Sequence, residues 1–527
     1  MRSIHYCYLF LLPYILVNCS TNSNDQNATT AGANHPPNII FILADDHAER
    51  AISAYDTSLI TTPNLDCIAR EGMLFRNSFV TNSICAPARA SILTGLYSHL
   101  NGKRDNVDTF NGDQATFIKT LRANGYHTSV IGKWHLKSRP QGFDYWQTLI
   151  DQGDYYNPTF ITNGDTAQAI GYTSTIITDQ ALAQLEERAT ADKPFCMLYW
   201  HKAPHRNWMP DVQDLEGLLE KKYPEPPTLR DTYAGRAAAE EADMRIADMF
   251  VSNDLKVTSD YLAYDDNTGG HADYEPSKAW RENLERFTPE QRAAWAPFLE
   301  AVGESYLAAM AEDRELAWRY QRYMQDYLAS ITSVDRNVGR VLDFLDENGL
   351  AENTIVIYSS DQGFYLGEHG WYDKRFMYEE SMRTPLMIRY PQMITAGSEN
   401  NNLVLNVDMA PTLLEMAGLA SSDDMQGQSI VPLLQGNTPP DWRDHAYFHY
   451  YEYPHGWHSV NKHEGVRGER YKLIRFYTPN SERYELFDLQ DDPNELNNRY
   501  GDPELVAVTT RLKEELKVQR DKLKVKE

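Results

Sequence analysis

Three apolar runs constrain this chain most. They are Asn38-Ile-Ile-Phe-Ile-Leu-Ala44, Pro194-Phe-Cys-Met-Leu-Tyr-Trp200 and Thr354-Ile-Val-Ile-Tyr-Ser359. None alternates with polar residues, so each reads as a strand buried on both faces of a parallel sheet. Helical periodicity lies between them. Ile176 to Arg188 is amphipathic, and from Tyr327 to Glu347 the residues Leu328, Ile331, Val334, Val338, Val341 and Leu345 recur at helical spacing. Gly349 stops that helix. The pattern predicts an α/β fold, a large and mostly parallel sheet flanked by helices. Each run also ends in residues that carry chemistry: Asp45-Asp46-His47, His201-Lys-Ala-Pro-His205 and Ser360-Asp361-Gln362-Gly363. Open α/β sheets place ligands beyond the C-terminal ends of their strands, so a single site is expected there.

A fourth stretch, Ser83-Ile84-Cys85-Ala86-Pro87-Ala88-Arg89-Ala90-Ser91-Ile92-Leu93-Thr94-Gly95, carries the densest chemistry. Pro87 suits the first turn of a helix, where its missing N–H has no partner to lose. Ile92, Leu93, Leu96 and Leu100 would then share one face, predicting an amphipathic helix that runs into the core. Cys85 falls just before that helix, where unpaired N–H groups and the dipole favour an anion. Arg89 is four residues on and returns to the same side. A nucleophile precursor, a guanidinium and a helix N-terminus together suit a tetrahedral oxyanion.

This stretch resembles the signature of the type I sulfatases, Cys-x-Pro/Ala-x-Arg followed by a short helix ending in Thr-Gly, with Ala88 where the commonest form has Ser. Further motifs occur in the family's order, and the resemblance spans Asn38 to roughly Asn497. It implies an alkaline phosphatase-like fold. It implies that Cys85 is oxidised to Cα-formylglycine, whose hydrate is the nucleophile. Asp45, Asp46, Asp361 and Gln362, with the modified Cys85, match the family's metal ligands. An oxygen donor set of this kind suits a hard cation such as calcium better than zinc. Gly132-Lys-Trp-His135 matches the motif in which the lysine binds sulfate and the histidine contacts the formylglycine hydroxyl. In extended chain Lys133 and His135 would point to one face. The Pro-His ending at His205 carries over as catalytic, and Tyr372-Asp-Lys-Arg-Phe-Met-Tyr-Glu-Glu-Ser-Met-Arg-Thr-Pro385 carries the last catalytic lysine, Lys374. His201 matches less directly and is a supporting candidate. Glu379 and Arg383 are expected to brace the Lys374 loop. Gly142-Phe-Asp-Tyr-Trp146 and Gly153-Asp-Tyr-Tyr-Asn-Pro158 resemble carbohydrate sulfatases of the family.

The rest of the chain sets the context. Met1 to Asn18 has a basic start and an apolar run too short to span a membrane, the form of a signal peptide. Its end, Leu16-Val17-Asn18-Cys19, resembles a bacterial lipobox, which would lipidate Cys19. Residues 19–35 are rich in Ser, Thr, Asn and Ala and read as a disordered tether. Export to the periplasm or outer-membrane surface of a Gram-negative bacterium is expected, with membrane attachment only through that lipid. The net charge of −25 argues against nucleic acid and anionic lipid as partners. Cys67 and Cys196 are expected as buried free thiols. The catalytic domain covers 36–440, with a charged helical insertion at 211–321 whose Tyr261, Tyr264, Tyr274, Trp280 and Trp295 either stack on sugars or pack within it. Residues 441–527 alternate as strands and end in a charged helix, Glu504 to Lys524, resembling the family's small antiparallel-sheet subdomain.

The expected function is therefore an exported sulfatase acting on a sulfated polysaccharide or its oligosaccharides, algal polymers such as ulvan included. It would require one calcium ion and a formylglycine-generating or sulfatase-maturating enzyme as partner. Two alternatives stay open: a formylglycine-dependent phosphonate or phosphate ester hydrolase, and a catalytically dead glycan-binding lipoprotein.

Overall fold

In the computed structural model the three apolar runs lie side by side. Asn38–Ala44 is central, paired in parallel with Thr354–Ser360 on one side and Phe195–Trp200 on the other. His127–Gly132 and Tyr145–Leu149 extend the parallel block past Phe195–Trp200. The sheet has ten strands in all. Leu386–Arg389 runs antiparallel to both its neighbours and leads to Met73–Phe75 and Ser398–Asn400 at one edge. Thr159–Thr162 and Asp165–Gln168 close the other edge antiparallel. The structure describes residues 35–262, 275–454, 456–478 and 481–526. The expected signal peptide, the tether up to residue 34, and Tyr264 and Tyr274 lie outside them.

The central strands alternate between two buried faces. Ile39, Phe41 and Leu43 share a core with Phe117, Leu121, Leu413 and Ile92, from helices on one side. On the other side the Tyr199 and Thr178 hydroxyls meet at 2.5 Å, joining Phe195–Trp200 to the Thr173–Ala189 helix. Burial on both faces is why, two tyrosines aside, the polar residues of these strands sit at their ends.

The signature helix departs from its expected form. It spans Cys85–Thr94, begins at Cys85 itself, and is buried at every position. Gly95, at φ 66°, ends it, so Leu96 and Leu100 do not continue its face, and Leu100 is 42% exposed. The helix is wedged between two cores. Ala86, Ala90, Ile92 and Leu93 pack into one, Ala88 into the other, and no solvent face remains for an amphipathic pattern.

The described part of 211–321 holds 3-10 turns and short helical segments, then the helices Pro276–Glu285 and Pro289–Ala311. Thr288 and Gln291 form a capping box at the start of the second helix. Trp280 and Trp295 are buried. The next helix starts at Glu315, well before Tyr327, and runs unbroken to Glu347 through the expected insertion boundary. Its first turns hide their burial behind charge, because Arg319 pairs with Glu315 and Arg322 with Asp326.

At the C-terminus Ala446–Tyr450, His463–Arg467, Tyr471–Thr478 and Ser481–Asp488 form an antiparallel meander. Leu512, Leu516 and Leu523 of the Val506–Leu523 helix pack on it. The same core takes in Ile84, Ala88, Trp371 and Phe376, so the change of pattern near residue 440 is not a break in the core. Cys196 is a buried free thiol as expected. Cys67 is not a free thiol. No helix among the described residues is long and apolar enough to cross a membrane.

Candidate active site

The parallel strands deliver their last residues to one place. The Asp361 amide donates to the Ala44 carbonyl at 3.2 Å, and the Asp46 amide donates to Asp361 Oδ1 at 3.1 Å. Asp46 has φ 66°, a turn that lets neighbouring carboxylates, Asp45 and Asp46, enter the same site. The Tyr327 hydroxyl pins that turn by donating to the Asp46 carbonyl at 2.7 Å. Arg89 rises from the signature helix and grips Asp361 Oδ2 through Nε and Nη2, at 3.0 and 2.9 Å. Its remaining amino group donates to the Lys133 carbonyl at 2.7 Å. The Lys133 ammonium bonds Asp45, and Lys374 bonds both oxygens of Asp46 at 2.7 and 2.8 Å.

Asp45, Asp46 and Asp361 are fully buried and lie within 4.8 Å of one another at their ligand oxygens. Burial pushes Asp46 up, Lys374 notwithstanding, and pushes Asp361, with Asp45 beside it, up to about 8. Burial would raise Asp45 too, but Lys133, His205 and Arg89 hold it well below the usual carboxylate range. Gln362 reaches Asp46 through its amide nitrogen and lies 3.6 Å from Cys85 Sγ. Among the described residues, Gln362 Oε1 and Asp45 Oδ1 are buried with no hydrogen-bond partner. Three crowded carboxylates and two orphaned oxygens are what a hard divalent cation would satisfy, so the residues fit a metal of the calcium type.

Above this cluster opens a cavity of about 570 Å³, lined by Cys85, His135, His205 and Lys374 among others. His205 Nδ1 lies 2.5 Å from the Arg206 carbonyl, so it must carry the hydrogen, and Nε2 is the nitrogen free to exchange a proton. That Nε2 lies 3.8 Å from Asp46 Oδ2. His135 Nε2 is 3.0 Å from the Gln152 amide nitrogen. Burial, then Lys133, holds both histidines well below their ordinary value. Burial also pushes the Cys85 thiol up, so it is no thiolate.

The structure thus brings together Asp45, Asp46, Cys85, Arg89, Lys133, His135, His205, Asp361, Gln362 and Lys374. His135 is left-handed, at φ 56°, so Lys133 and His135 do not sit in extended chain. His201 is fully buried with neither ring nitrogen hydrogen-bonded, and burial lowers its pKa to about 3. It packs edge-on against Tyr199 and is absent from the cavity lining. Glu379 and Arg383 pair at 2.5 Å, and Glu379 also pairs with Arg467 and Lys472 of the C-terminal sheet. The sequence reading missed much of the cavity wall: Asn106, Lys202, Arg206, Asp373, Arg375 and Trp457. Lys202 and Arg206 flank His205 within its motif, and Asp373 and Arg375 flank Lys374, which was the available signal.

A cation-lined pocket above clustered carboxylates, at the strand ends of an α/β sheet, defines a hydrolase of oxyanion esters. Residues 37–419 match the sulfatase family model, and 367–522 match that of the N-sulphoglucosamine sulphohydrolase C-terminal region. The chain belongs to the sulfatase family and is a sulfuric ester hydrolase. It is 46% identical over 503 residues to the N-acetylglucosamine-6-O-sulfatase of Bacteroides thetaiotaomicron, covering 94% of this chain and 87% of that protein. It is 25% identical over 519 residues to the ulvan-active sulfatase of Formosa agariphila, covering 95% and 84%. Among solved structures, BT4656 in complex with its substrate D-glucosamine-2-N,6-O-disulfate superposes with a TM-score of 0.85 at 44% identity, over 93% of this chain and 98% of that one.

Proposed function

We propose that this protein is an exported carbohydrate sulfatase that removes the 6-O-sulfate from N-acetylglucosamine or a related glucosamine unit. The observation that carries the sugar is the 46% identity along nearly the whole chain to an N-acetylglucosamine-6-O-sulfatase. The ulvan-active relative, at 25%, supports an algal substrate far less. The cavity agrees in kind. Trp457 offers an aromatic surface, and Asn106, Asn207, Asn253, Asp373 and Glu452 offer hydrogen-bonding groups for a pyranose. The apolar leader and Cys19 of the sequence support export and lipidation.

In this reading Cys85 is matured to formylglycine, since a buried neutral thiol is a poor nucleophile. Asp45, Asp46, Asp361, Gln362 and residue 85 would hold a calcium ion, which would supply Lewis acidity when bound. Arg89, Lys133 and Lys374 surround the tetrahedral group and oppose the charge that builds on it. His205, which takes up a proton at Nε2 as the sulfate anion binds beside it, passes that proton to the leaving sugar oxygen. His135 accepts the proton that frees sulfate from the enzyme.

The test is a substrate panel. Protein co-expressed with a maturating enzyme should release sulfate from N-acetylglucosamine 6-sulfate faster than from the 3-sulfate, from ulvan oligosaccharides, or phosphate from a phosphomonoester. Mass spectrometry should find formylglycine in the peptide ending at Arg89. Faster turnover of ulvan or of phosphonate monoesters would overturn the reading.

A further inference from the structure

Every cation met so far in this cavity is already paired with a carboxylate. Lys133 has Asp45, Lys374 has Asp46, Arg375 has Glu452, Arg206 has Asp254, and Arg89, from beneath, has Asp361. Among the buried cations of the lining, Lys202 is the exception. It is 3% exposed and lines the same cavity, yet no carboxylate among the described residues pairs with its ammonium. Nζ instead rests 4.6 Å from the centre of the Tyr155 ring. Burial, then Lys133, lowers its pKa only to about 8, so most of it is still charged in neutral solution.

Its position ties it to the leaving-group side. The His205 amide donates to the Lys202 carbonyl at 3.0 Å, so the two residues close one tight turn. Tyr155 holds both ends, with its ring face under the Lys202 ammonium and its hydroxyl donating to the His205 carbonyl at 2.6 Å. A buried ammonium without a counter-ion is costly unless an anion arrives to meet it. The anion that enters this cavity is the substrate.

We propose that Lys202 binds the sulfate ester directly, at the bridging oxygen that becomes the leaving group, as a further catalytic cation beside His205. The hydroxyl at residue 85 forms a new S–O bond and loses its proton to solvent, while the S–O bond to the sugar breaks. Its electron pair stays on the sugar oxygen, which takes the proton from His205 Nε2. Lys202 keeps its protons and opposes the charge on that oxygen as the bond lengthens.

Inorganic sulfate tests this without reference to the sugar, because its fourth oxygen occupies the leaving oxygen's place. In the matured enzyme, Lys202→Met should raise the inhibition constant for inorganic sulfate about tenfold and lower kcat/KM on a sulfated sugar by about 10²-fold, with Lys202→Arg recovering part of both. Lys202→Gln gives the same readout should the Met variant not fold. An unchanged inhibition constant overturns the proposal. So does a loss confined to substrates with a second anionic group, which would make Lys202 a reader of that group. A shifted pH profile with unchanged sulfate affinity also overturns it, since Lys202 would then act only through His205.

Discussion

Lys374 Nζ reaches both carboxylate oxygens of Asp46, at 2.7 and 2.8 Å, across 328 positions of sequence. Both residues are buried, and burial acts against each charge. The pair therefore couples the first strand end to a loop near the C-terminal sheet. It also couples the cation site to the sulfate site. A cation held by Asp46 would compete with Lys374 for the same two oxygens.

Metal dependence follows from that coupling. Calcium should raise the Tm of the purified protein and chelator should lower it reversibly, since a ligand at about 100 times its Kd adds roughly 2.7 kcal/mol. Asp361→Asn should abolish the thermal response along with activity, because Asp361 also anchors Arg89 and the Asp46 amide. Calorimetric scans with and without calcium check this. Recovery of activity by zinc and not by calcium would contradict the donor set.

The two histidines should separate by leaving group. His205→Ala should lose about 10²-fold more rate on a sugar sulfate than on a nitrophenyl sulfate, whose leaving group needs little protonation. His135→Ala should slow both substrates alike and accumulate sulfate on residue 85, visible as added mass. Equal losses for His205→Ala with no adduct in His135→Ala would reverse the assignment.

Gly132 sets the approach of the Lys133 strand end. Its φ is 110°, and a Cβ there would lie 1.8 Å from the Trp200 carbonyl oxygen. That carbonyl also accepts from the Lys133 amide at 2.9 Å. Gly132→Ala should cost at least about 2 kcal/mol in urea unfolding and should depress kcat as Lys133 is displaced. An unchanged unfolding midpoint would show that the strand end is free to move.

Stability should fall with rising pH through Glu485. Burial raises this carboxyl from 4.5 to about 7, although the Tyr378 hydroxyl donates to it at 2.8 Å. A raised carboxyl contributes stability that is whole below about pH 4.5 and is lost as pH rises through 7. The loss reaches up to about 3 kcal/mol. Glu485→Gln should flatten the stability profile between pH 5 and 8, measured by denaturant titration at each pH. A profile as steep as the parent's would assign the dependence to other groups.

The sequence by itself determined the parts of this protein that local pattern encodes. Unbroken apolar runs specify strands buried on both faces, and acids placed directly after them land at the strand ends whatever the loops do. Asp45, Asp361 and His205 were legible for that reason. Cys85 and Arg89 were legible because one helical turn joins them. Only the tertiary structure decided what depends on distant chain segments meeting. Packing between two cores buried the signature helix on all sides and cut it at Gly95. A left-handed His135 still reached the cavity. Lys202 was left without a carboxylate while Lys133, Lys374 and Arg206 each received one. Which cation is paired is set by approach across dozens to hundreds of residues, and no local periodicity records it.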